Sequence, residues 1–392
     1  MIGEIKNTGC FILTQIQLTL VIKDAAGNSL LKDYYGTPVP SLNFSPMLTN
    51  LAPGETSPFG FTLYAGSGTP DPNRVTVTPG SQTNSTATMA AVIIQNGRMV
   101  ANGQGSWLIS GSVVNMSSKP VLIRDIGATL LNSEKKMLAA AYAVDYTVFL
   151  QPTGDANNLD TTPFYLRIDD PASAPTDFKI YLDAEETTQT AQSALKQTIT
   201  NHYFDGTGIF HIVGTLTNNG SGPLSTRLVA GLYDRNNIVL DTYSTGSPVN
   251  AAAHEVIPFE ISWFENVNNS AAVASALDHF TVQIDSYYTY PPVDDSVTLT
   301  STIDSTTKTS KDWTVTGKVT NNSNHILSLE TVLVGIYDST SVLMAVNYGW
   351  IVSSSNSIDK GSVNTYAVVV PIDPVADVTG YTVKILVKGE IK

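Results

Sequence analysis

The chain has 392 residues, 42% of them apolar and only 14% charged, where an average globular protein is about a quarter charged. Its 34 acidic and 21 basic residues leave a net charge of −13 with no Lys/Arg cluster, so phosphate backbones and anionic headgroups have nothing to pair with and nucleic acid is excluded as a partner. No apolar run reaches the roughly 18 residues that a membrane-spanning helix needs, so no membrane span is expected.

Read from the N-terminus, the chain says the same thing four times. Gly3-Glu4-Ile5-Lys6-Asn7 returns as Gly111 to Asn115, Gly214 to Asn218 and Gly317 to Asn321; the last three glycines stand 103 residues apart, and the first interval is 108. A fixed period of that length is one sandwich-sized β domain, so the spacing predicts a tandem array. In three copies an aromatic residue (Trp107, Phe210, Trp313) precedes the glycine by four positions, on a segment that alternates polar and apolar residues as a half-buried strand does. A polar turn follows the asparagine. Next comes an apolar strand that ends at Asp24, Asn132, Asp234 or Asp338 and turns back as a hairpin. Later each copy meets Pro58-Phe59, Pro163-Phe164 or Pro258-Phe259, with Tyr366 at the like place in the fourth, and closes on an alternating strand such as Phe280 to Ile284.

The fold class expected is therefore all-β: four tandem Ig-like β-sandwich domains forming an elongated rod, at 1–79, 88–184, 193–286 and 293–392. The first lacks the strand-forming lead-in that precedes the glycine elsewhere. Either residues upstream, with any signal peptide, supply it, which is the favoured reading, or a neighbouring molecule does. In chain order, 34–53 reads as a surface loop, 80–86 as a flexible linker, Asn96-Gly97 as a hairpin turn, 185–192 as a linker with room for a turn of helix, and 270–277 as a short helix. Tyr287, Tyr288 and Tyr290 beside Pro291-Pro292 read as a stiff joint packed with tyrosine.

The run Gly-x-x-x-Asn, then apolar-Tyr-Asp, then Pro-Phe resembles the tandem Ig-like modules of prokaryotic surface proteins. It is closest to the FxLYD-type repeat and more loosely similar to the bacterial adhesion-related CARDB module. The second copy departs from that pattern, with Leu131-Asn132 in place of Tyr-Asp. The resemblance implies a sandwich array and specifies no activity.

Candidate chemistry is sparse. The five histidines (His202, His211, His254, His279, His325) share no metal-ligand spacing, and no nucleophile elbow or P-loop is present, so no catalytic residue, cofactor site or metal site is expected. Asp169-Asp170, Asp294-Asp295 and Asp71-x-Asn73 are the segments that could offer oxygen to Ca²⁺; solvated turns are the competing reading. The lone Cys10 sits in an apolar stretch and is expected buried and free. Asn-x-Ser/Thr acceptors for glycans occur at Asn43, Asn84, Asn115, Asn219, Asn268 and Asn321, three of them in the turn after the motif glycine. The whole implies a structural protein outside the cell or on its surface, a part of a surface layer, filament or adhesin. Its expected partners are further copies or other surface proteins, and glycans are a possible addition. The alternative is a surface module that binds carbohydrate or protein.

Overall fold

The computed structural model describes residues 1–61, 68–102, 105–154, 159–169, 171, 173–291, 296–351 and 357–392. Strands make up 56% of it and helix 3%, so the class is all-β. The chain divides into two compact units, Met1–Gln189 and Thr190–Lys392, each built from two β-sandwiches.

In every sandwich one sheet is organised by the glycine strand. These strands are Ile2–Lys6, Trp107–Asn115, Phe210–Asn218 and Asp312–Thr320. Each pairs antiparallel with the strand that carries the Pro-Phe or tyrosine position: Thr56–Gly60, Thr161–Ile168, Val256–Ile261 and Val363–Pro371. The register puts Gly3 opposite Phe59, Gly111 opposite Phe164, Gly214 opposite Phe259 and Gly317 opposite Tyr366. That pairing explains both motifs. A Cβ on Gly214 would stand 2.7 Å from Phe259 Cζ, and one on Gly317 would stand 2.5 Å from the Tyr366 hydroxyl, so the ring lies over bare backbone and fills the space a side chain would take. Proline is admissible next to that ring because its strand is an edge, where a missing N–H breaks no ladder.

On the other side of the glycine strand lies the lead-in strand, Val92–Ala101, Leu195–Phe204 or Thr300–Lys308, and each pairing is broken by a bulge next to the glycine. Asn96-Gly97 is the clearest case. Expected as a hairpin turn, it lies within Val92–Ala101, where the register slips between Ser110 and Ser112. Asn96 has φ +53°, so a residue type suited to turns serves a bulge instead. In the first sandwich, Ile2–Lys6 pairs on one edge only among the described residues.

The second sheet is centred on Leu18–Ile22, Val121–Leu131, Ser225–Tyr233 or Leu327–Tyr337, flanked by a hairpin partner and by the closing strand. The hairpins share one turn. In Asn132, Asp234 and Asp338 the side-chain oxygen accepts the N–H groups two and four residues on. The second copy's asparagine thus does the work of aspartate, since only an acceptor is needed.

The end of the glycine motif has a structural answer as well. Asn7, Asn115, Asn218 and Asn321 are all 2% exposed or less. Each donates Nδ2 to the carbonyl four residues on and to a carbonyl in the distant turn, which is Leu51, Gln151, Ala251 or Ile358. Each also accepts at Oδ1 the N–H two residues on. The asparagine ties two turns together at the end of the sandwich and leaves no polar atom idle.

Other expectations change. Cys10 is exposed, because the caged turn after Asn7 carries it out of the strand. Thr83–Asn84 is a strand paired with Leu13–Thr14, so the first sandwich extends past 79. The expected loop at 34–53 contributes Leu48 and Leu51 to the core, although Tyr34 and Tyr35 stand in solvent. Glu185 and Glu186 end a strand and form no helix. The short helix near 270 is present, as Glu265–Asn269 and Ala271–Ala274. Tyr287, Tyr288 and Tyr290 belong to the closing strand His279–Tyr290, where the Arg227 guanidinium stacks 4.1 Å from the Tyr288 ring.

Within the first unit the two sandwiches are joined by hydrogen bonds to carboxylates. The backbone N–H groups of Thr49 and Asn50 donate to Asp125 and to the fully buried Asp183 at 2.6 and 2.7 Å. Burial, reinforced by Asp125 and Glu185, raises Asp183 to about 7 against the bonds from Asn50. Tyr181 enters the apolar cluster of the first sandwich and donates its hydroxyl to Glu4, which also takes Lys179. Within the second unit a single apolar core runs through both sandwiches, and Asn201 Nδ2 and the Tyr203 hydroxyl each donate to a carbonyl of the other sandwich, Met344 and Pro371, at 2.9 Å. Lys388, 6% exposed, reaches Glu255 at 2.9 Å.

Candidate binding cleft

A cleft of about 620 Å³ opens where the two sandwiches of the second unit meet, a size typical of small-molecule sites. No such cleft was expected from the sequence. Its floor is an ionisable trio. Asp205 opens the hairpin between Leu195–Phe204 and the glycine strand, and its Oδ1 accepts the N–H groups of Thr207 and Ile209. His211 follows Phe210 on the glycine strand and Glu260 lies on the Pro-Phe strand beside it. His211 is 3% exposed. Its Nδ1 bonds Glu260, while Nε2 stands 3.2 Å from Asp205 Oδ2, outside hydrogen-bond geometry. The Tyr203 ring stacks on the imidazole at 4.9 Å.

Burial alone would lower His211; Glu260 and Asp205 outweigh it and hold the imidazolium above its ordinary value. Burial pushes Asp205 up, but the Thr207 hydroxyl, the turn N–H groups and His211 bring it below the usual carboxylate range. Tyr203 is driven upward by burial and by Glu260, Asp205 and Asp373. Carboxylates on both sides of the ring favour its charged form.

The walls are aromatic. Trp263 precedes the helix Glu265–Asn269, whose position is set by Asp241: its carboxylate accepts the N–H groups of Asn266 and Val267 at 2.6 and 2.9 Å. Asn268 completes the anchor, accepting from Phe210 N–H and donating to the Ser262 carbonyl. Because Phe264 and Val267 are buried by this fixing, Trp263 is left 75% exposed. Across the cleft Tyr348 and Trp350 alternate onto one face of the strand Leu343–Ile351 and meet edge to face at 5.0 Å.

The residues singled out in the sequence lie elsewhere, except Asn268 and His211. Asn115 and Asn321 are caging asparagines, and the nitrogen that a glycan would need is spent on backbone carbonyls. Asn268 donates the same atom to Ser262. Asn219 is one residue beyond the caging position, which Asn218 occupies; Asn43, Asn84 and Asn219 are exposed. Asp71 accepts from Asn73 N–H and pairs with Arg74, and Asp169 pairs with Arg167. Asp170, Asp294 and Asp295 lie outside the described residues, as does Pro292. Among the described residues no three His, Cys, Asp or Glu side chains are grouped to hold a metal ion. The cleft had one signal in the sequence: His211 stands where the neighbouring copies carry Leu108 and Thr314.

No family model matches the chain. No curated protein matches it either. Among solved structures it is similar to Bacteroides uniformis beta-glucuronidase 2, at 11% identity over 63% of this chain and 26% of that one, with a TM-score of 0.13. Over 95% of its length it is similar to native E. coli alpha-2-macroglobulin, at 8% identity, 26% of that chain and a TM-score of 0.15. Salmonella alpha-2-macroglobulin reacted with methylamine is matched over 98% of this chain and 27% of that one, at 9% identity and a TM-score of 0.13. The chain spans about a quarter of the length of these proteins. Likeness at this level bears on neither its site nor its activity.

Proposed function

We propose that the chain is a structural protein of a prokaryotic cell exterior, a subunit or stalk segment of a surface layer, filament or adhesin. It acts by setting distance and by associating through strand edges. The observation that carries this reading is the manner in which sandwiches are joined inside each unit. Backbone N–H groups bond the half-buried Asp125 and the buried Asp183 in the first unit, and an apolar core is shared by two sandwiches in the second. Such joints hold one domain at a fixed distance from the next. A surface solvated by Ser, Thr and Asn, and the resemblance to FxLYD-type surface repeats, point the same way. Strand edges at the rim of a sandwich are where such association takes place. Negative-stain imaging and sedimentation velocity of native material test it. Ordered polymers or concentration-dependent assembly are expected, and a monodisperse monomer at every concentration would overturn the reading.

The second reading, a surface module that binds carbohydrate or protein, is favoured by one observation, the aromatic cleft of the second unit.

A further inference from the structure

The cleft has features that spacing does not use. Trp263 is 75% and Trp350 58% exposed, yet both are held in place by buried or ring-packed neighbours. Aromatic faces of this size contribute large areas when covered, so two of them fixed on the wall of one concavity are ready for a ligand with a flat apolar side. The rest of the lining is polar and of mixed sense. The indole N–H groups and the hydroxyls of Tyr348 and Ser262 donate; Glu260 and Glu265 accept. His211 is nine-tenths buried and more, and bonds one oxygen of Glu260 in the lining of the same cleft.

We infer that this cleft is a saccharide site and that its occupant is a neutral oligosaccharide. A pyranose carries an apolar C–H face for an indole and a rim of hydroxyls that both donate and accept, which matches a lining of both kinds. A cationic side chain only donates and would leave the lining donors without a partner. An anionic sugar would meet Asp205, Glu260 and Glu265 with like charge. The site stands independently of polymer formation: a monomer can hold the glycan, and a polymer lacking it can still assemble.

The test is a fluorescence titration of the full chain with linear oligomers of glucose, mannose, galactose, xylose and N-acetylglucosamine, with a lysine hexapeptide and CaCl₂ as the competing probes. Saturable binding of at least one neutral oligomer is expected. Trp263→Ala and Trp350→Ala should each weaken it about tenfold or more, and Trp263→Phe should retain most of it, with the unfolding midpoint unchanged because both side chains are largely exposed. Three results would overturn the inference: no saturable binding of any neutral oligomer, binding that neither alanine variant changes, or binding of the lysine peptide or Ca²⁺ alone.

Discussion

Four asparagines hold the same place in four sandwiches, and the chemistry leaves no substitute. Asn218 donates to Gly222, Ala251 and Ala252 carbonyls and accepts from Gly220 N–H, all from a side chain with no exposed surface. Aspartate has the shape but no N–H, and would set an oxygen against three others. Asn218→Asp is therefore expected to cost about 3 kcal/mol or more, since unsatisfied buried groups and a buried charge add. Urea unfolding that shows less than about 1 kcal/mol of loss would remove the cage from the account. The glycine is as demanding. Gly214→Ala puts a methyl 2.5 Å from the Thr198 carbonyl oxygen and 2.7 Å from Phe259, so a loss of about 1–3 kcal/mol is expected. Gly246, also in a strand of that sandwich, has only the Thr226 carbonyl within reach at 3.9 Å, so Gly246→Ala should be neutral or slightly stabilising. Equal effects at the two sites would show that the ring over the glycine is incidental.

At the scale of the element, one five-residue turn recurs because one acceptor can serve two donors. Asp33, Asn132, Asp205, Asp234 and Asp338 all accept from the second and fourth N–H beyond them. The fourth residue of each turn takes positive φ, as in Gly36, Lys135, Gly208, Asn237 and Ser341. Asp234→Asn should leave stability nearly unchanged, as Asn132 already shows by example. Asp234→Ala should cost about 1–2 kcal/mol for two lost bonds, and thermal melts of the two variants would separate them. These turns, the alternating strands and the period were legible in the sequence because their causes are local. What joins Gly214 to Phe259 was not, although both motifs were visible: the cause is a cross-strand register that brings together residues 45 apart. Asn96-Gly97 misled because a bulge and a turn ask for the same residues. The cleft escaped for the opposite reason. His211 and the segment carrying Trp263 belong to neighbouring strands of the third sandwich, while Trp350 comes from the fourth, so the cleft forms only when two sandwiches meet, and nothing in the sequence places Trp350 opposite Trp263.

For the whole molecule, three buried groups turn acidity into stability. Asp183, in the joint of the first unit, and Asp241, beneath the cleft helix of the second, are each raised to about 7, chiefly by burial. Unfolded aspartate titrates near 4, so from about pH 4 to 7 the folded chain holds protons that the unfolded chain has released, and stability falls as pH rises. His211 adds to the slope in the same direction. Its folded value is raised, so its contribution is present below about 6.5, where unfolded histidine titrates, and is lost as pH climbs through the folded value. Glu4 and Asp205 are lowered, so their contribution stands above about pH 4 and is lost in stronger acid. Above about pH 4, then, the raised groups make stability fall as pH rises toward 7. Because the two aspartates lie in different compact units, their effects should separate. In calorimetry from pH 5 to 8, Asp183→Asn should flatten the pH dependence of one transition and Asp241→Asn that of the other, since an amide stands in for the protonated acid. Each shift of roughly three units is worth up to about 4 kcal/mol, so the flattening should be well above error. A wild-type midpoint that rises steadily from pH 5 to 8 would show that both carboxylates stay charged in the fold, and that the N–H groups they accept outweigh their burial.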